Sequence, residues 1–138
     1  MPHSRFFLSI FAGLALLAGC ASTEEAPWDE TRINLAVSST MNEHRQDFAN
    51  CYDQELTRRD QLKPKPSAPQ GVFKAAFTIG REGEVLEAEI VNGSSTLRNP
   101  PIERCILETL KKIRFGKMGD YSRYNVTYPF EFGPAPKR

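Results

Sequence analysis

The sequence predicts an α+β fold in which two helices pack on one face of a small three-stranded antiparallel or mixed sheet. Three observations carry this. Apolar residues recur at helical spacing in two segments, from Ile33 to Leu56 and from Ile102 to Ile113. They alternate at strand spacing in three others: Phe73 to Ile79, Leu86 to Ile90, and Tyr124 to Phe132. Turn and breaker residues separate the five segments, giving the order helix, strand, strand, helix, strand. Such an order closes its core as two layers.

The chain opens MPHSRFFLSIFAGLALLAGC, a short basic start followed by an apolar run from Phe6 to Gly19. A spanning helix needs about 20 apolar residues. This run instead has the length and flanks of a secretory signal, residues 1–19. Its end, Leu17-Ala18-Gly19-Cys20, is similar to the lipobox of bacterial lipoproteins, in which the cysteine thiol is lipidated and the segment before it is removed. The resemblance makes Cys20 the lipidation site. Because Ala21 and Ser22 follow the cysteine rather than aspartate, it further implies the periplasmic face of the outer membrane.

After Cys20, the small, acidic stretch ASTEEAPWDE reads as a solvated tether, residues 20–31, within which Trp28 fits either the domain or the membrane surface. The domain is expected over 32–133. Thr31 is the expected N-cap of one long first helix, whose stripe runs through Ile33, Val37, Met41, His44, Phe48, Cys51, Tyr52 and Leu56. The proline-rich KPKPSAP, residues 63–69, cannot continue it. Phe73, Ala75, Phe77 and Ile79 form the buried face of the first strand, and Gly80-Arg81-Glu82-Gly83 the turn. Leu86, Ala88 and Ile90 form the buried face of the second strand, opposite Glu87 and Glu89.

Asn99-Pro100 starts the second helix as cap and first residue, with Cys105 on its apolar stripe. In the last strand Pro129 argues for a sheet edge. A crossover through the second helix lays that strand parallel to the second one, most simply with the first between them. Residues 134–138 read as a disordered tail.

Once Arg5 leaves with the signal, 17 basic residues face 17 acidic ones. That balance lacks the basic face of a nucleic-acid binder. There is no phosphate loop or cofactor fingerprint, so no cofactor and no small-molecule substrate is expected. A hydrolase would need a nucleophile beside a base. His44 is the one histidine after the signal and sits on the helix stripe, while Glu82, Glu84, Glu87 and Glu89 lie at or beside a wet hairpin. No catalytic residue is assigned.

With Cys20 set apart, Cys51 and Cys105 remain, one on each helix stripe and so facing the sheet or each other. Three readings fit. A disulfide would close a loop of roughly 55 residues, worth about 4 kcal/mol in the chain-entropy model, in a compartment that permits it. Two buried free thiols would be inert. A metal site would need more ligands than two thiols and His44 provide.

HRQDFANCYDQEL, GVFKAAFTIGREGEVLEAEIVNGSS, IERCILETLKKIRF and YNVTYPFEF together resemble the TonB-like C-terminal domain of the AgmX/PglI type, over about residues 33–132. The resemblance implies the α+β fold, a bond between Cys51 and Cys105, and a protein-interaction module with an envelope protein as partner. It points to the last strand as the place where an extended peptide is captured, at Tyr124, Asn125, Val126, Thr127 and Tyr128. The alternative in another class is a structural or assembly subunit of a motility or transport complex.

Overall fold

The computed structural model describes residues 28–134. The signal segment, Cys20 and most of the tether lie outside them, as do residues 135–138. Three helices, not two, cover one face of the sheet: α1 (Glu30–Glu43), α2 (Arg45–Asp60) and α3 (Pro100–Lys112), with strands β1 (Gly71–Gly80), β2 (Val85–Val91) and β3 (Arg123–Phe132). The order across the sheet is β2-β1-β3. Both pairings are antiparallel, so β3 runs parallel to β2 with β1 between them.

The expected long first helix is divided at His44. Ile33, Val37 and Met41 anchor α1, and Phe48, Cys51 and Tyr52 anchor α2. Between Met41 and Phe48 the stripe offers only His44 and Arg45, so burial does not hold the chain straight there. His44 is half-exposed, its Nδ1 2.8 Å from Asp47 Oδ2, and does not belong to the core. The helix also begins earlier than the expected Thr31 cap. Asp29 is the N-cap, its carboxylate accepting from the Arg32 amide at 2.8 Å. The last residues of the segment read as tether are therefore helical.

The α3 start follows the sequence expectation. The Asn99 side chain accepts from the Ile102 amide at 3.0 Å, Pro100 opens the helix, and Glu103 accepts from the Asn99 amide at 3.1 Å.

Phe73, Ala75, Phe77 and Ile79 of β1 project into the core beneath Ile102, Ile106 and Leu110 of α3 and Ile33 of α1. In β2 the expected alternation shifts. A bulge between Thr78 and Ile79 places Val85 opposite Ile79 and leaves Leu86 without a partner, 43% exposed. At the hairpin turn Gly83 has φ +83°, and a side chain there would collide with the Gly116 backbone.

Trp28 docks on the domain. Its indole lies against Gly119, in the loop before β3, with the Arg32 guanidinium 4.4 Å above the ring.

Candidate functional site

The alternation in β3 and its pairing with β1 together decide which backbone groups are free. The Lys74 amide donates to Ser95 Oγ at 3.2 Å, and the Val72 carbonyl accepts from the Thr96 and Leu97 amides. Even-numbered residues of β1 thus turn their backbone toward β2 and its following loop. Odd-numbered ones turn toward β3, where Phe73, Ala75, Phe77 and Ile79 stand opposite Phe130, Tyr128, Val126 and Tyr124. In an antiparallel ladder those pairs exchange the hydrogen bonds. The N–H and C=O groups of Asn125, Thr127 and Glu131 therefore aim away from the sheet, as does the carbonyl of Pro129.

Pro129 opposes Lys74, a pair without ladder bonds on this side. Its missing N–H consequently falls on the open edge and costs the sheet nothing. Among the described residues β3 pairs with β1 alone.

The expected site residues divide by face. Tyr124, Val126 and Tyr128 are half-buried on the face bearing the helices, while Asn125 and Thr127 are exposed on the other. The Thr78 hydroxyl donates to Asn125 Oδ1 at 2.9 Å and fixes that side chain across two strands.

Beside the second half of the edge runs a groove of about 340 Å³. Its apolar walls are Phe48, Ala49 and Tyr52 of α2 and Tyr128, Phe130 and Phe132 of β3. Aromatic contacts hold the walls in register, Phe48 against Phe130 at 5.0 Å and Tyr52 against Phe132 at 5.4 Å between ring centroids. The Tyr52 hydroxyl donates to the Pro69 carbonyl at 2.8 Å, and burial pushes its pKa up. Arg45, Asp53 and Glu131 stand exposed on the rim. Nothing in the sequence periodicity marks Arg45, Asp53 or Phe132 as site residues. They come together only through the register of α2 against β3.

The wall formed by α2 is braced from behind. Glu55 is 2% exposed and accepts from Arg58 at 2.7 and 2.9 Å, from Arg59 at 2.7 Å and from Asn99 Nδ2 at 3.0 Å. The Arg58 guanidinium above all, helped by Asn99 and Arg59, outweighs the effect of burial and holds the Glu55 carboxyl down at about 2. Cys51 and Cys105 stand at disulfide distance, their Cα atoms 5.6 Å apart, and join α2 to α3.

Among the described residues no cluster of histidine, cysteine and acidic side chains could hold a metal ion. No described helix is long and apolar enough to cross a membrane.

No protein-family model matches the chain, and no curated protein matches it by sequence. Among solved structures it is similar to the NMR solution structure of the Helicobacter pylori TonB C-terminal domain. That match has a TM-score of 0.42 and 12% identity, and covers 81% of this chain and all of that one. The likeness is confined to the general layout of helices and sheet.

Proposed function

We propose that this chain is a non-enzymatic interaction module of the AgmX/PglI kind, held at the periplasmic face of the outer membrane by a lipid on Cys20. It captures an extended segment of another envelope protein along β3. The observation that carries this reading is the ten-residue edge of β3, with its outward donors and acceptors running beside an aromatic-walled groove. Addition of a strand uses main-chain bonds for affinity and side-chain pockets for specificity, and this edge offers both. In the oxidising periplasm the Cys51–Cys105 pair closes as a disulfide and staples a domain too small to be strongly stable otherwise.

The test is site-specific photo-crosslinking in intact cells, with the reactive residue at Thr127 and a control at Glu87 on the other edge strand. One discrete adduct from Thr127 alone is expected. Equal adducts from both positions, or none, would favour a permanently packed assembly subunit instead. The anchor is tested separately: Cys20→Ser should abolish palmitate labelling and release the protein from the membrane fraction.

A further inference from the structure

The groove has a charge order as well as an apolar floor. The contacts of Phe48 with Phe130 and of Tyr52 with Phe132 show that α2 and β3 run in the same direction along it. Arg45, about one turn before Phe48, therefore lies toward the Tyr128 end. Asp53, next to Tyr52, lies at the Phe132 end. Neither Arg45 nor Asp53 forms an ion pair with another described residue. Eight helical residues separate them, about 12 Å at 1.5 Å per residue. Four residues of extended chain cover about the same distance.

A strand added to β3 presents its side chains alternately. Residues opposite Thr127, Pro129 and Glu131 share the exposed face, whereas those opposite Tyr128, Phe130 and Phe132 project over the groove. The groove-facing residues thus sit two apart and span the interval from Arg45 to Asp53. Every strand pair in this sheet is antiparallel, and antiparallel pairing is the more stable per residue.

From this charge complementarity we infer that the partner segment, read from its N-terminus, carries a basic residue, a bulky apolar residue and an acidic residue at alternate positions. The base meets Asp53, the apolar side chain enters the groove opposite Phe130, and the acid meets Arg45. This rests on the edge-strand reading and gives it a partner chemistry.

The experiment titrates the lipid-free full-length domain with two fluorescent peptides, Ser-Lys-Thr-Leu-Thr-Glu-Ser and its charge-exchanged form Ser-Glu-Thr-Leu-Thr-Lys-Ser, at low salt. The first should bind about tenfold more tightly, since two rim pairs change from attraction to repulsion. Added salt should shrink that ratio. In the double variant Arg45→Glu/Asp53→Lys the preference should invert. Both side chains are exposed, so the fold does not depend on them. Equal binding of both peptides, lost together in Thr127→Pro, would overturn the charge order and leave strand addition standing. A preference for the second peptide would overturn the antiparallel assignment. Binding of neither would overturn the inference and the edge reading with it.

Discussion

The two edges of this sheet are built in opposite ways. At the β2 edge the strand is short, Leu86 bulges out of register, and Glu84 forms a bridge with Arg114. The Phe115 amide donates to the Gly83 carbonyl at 2.9 Å, so the chain leaving α3 covers the start of that edge. At the β3 edge ten residues run without a bulge, and Pro129 removes only one outward donor. Bulges and covering segments are the usual means of keeping a sheet from pairing with other chains. One edge carries them and the other does not. An open edge is thus a local property of sequence and packing, and the adjoining groove gives it a place for side chains.

Several changes would break or sharpen that contrast. The largest acts on both halves at once. Cys51 belongs to the helix behind the open edge and Cys105 to the helix over β2. Replacing both by serine should cost about 4 kcal/mol, from the loop of 54 residues that the pair closes. Urea unfolding of the oxidised protein against the double variant measures it, and reductant should reproduce the loss.

Proline placed along β3 tests the alternation itself. Val126→Pro removes an amide that bonds to β1 and should cost about 2 to 3 kcal/mol. Asn125→Pro removes an outward amide and the Thr78 contact, and should cost about 1 kcal/mol while abolishing capture of the partner. Equal costs at the two positions would mean that the β3 edge is not open.

The Glu55 cluster ties the groove wall to the start of α3, and Glu55→Ala should cost about 2 kcal/mol. Its pH signature is directional. The folded carboxyl titrates near 2 and the ordinary one near 4.5. On acidification the unfolded chain therefore binds the proton first. The stabilisation is complete above the ordinary value and is lost as the pH falls from about 4.5 to about 2. Denaturation midpoints at pH 5 and pH 3 should differ more for the parent protein than for Glu55→Gln.

The smallest effect is expected at Gly119, where φ is +63° and the indole of Trp28 occupies the space of a side chain. Gly119→Ala should cost about 1 kcal/mol and shift the tryptophan emission to the red.

The parts of this fold that were legible in the sequence have one regular period and one buried face. Alternation in β3, the Asn99-Pro100 start of α3 and the glycine turn between β1 and β2 all follow from local chemistry. The division of the first helix does not, because His44 and Arg45 interrupt the stripe without any residue that forbids helix. The Leu86 bulge is likewise silent, since a one-residue shift in β2 keeps an apolar residue, Val85, on the core face. The groove was hidden for another reason. Its walls belong to segments some 80 residues apart, and only the packing of Phe48 and Tyr52 against β3 sets Arg45 and Asp53 along the edge.

The contact between Trp28 and Gly119 also decides how tension would enter the domain. Among the described residues, a pull arriving from the N-terminal side first meets the indole of Trp28, seated on Gly119 and under Arg32, before it meets any ladder of the sheet. Such a contact breaks by peeling, one side chain at a time, and it lies next to the loop that leads into β3. The first of the described residues to yield under load would thus sit at the near end of the open edge. The β1–β3 ladder, held by bonds in parallel along ten residue pairs, would yield last.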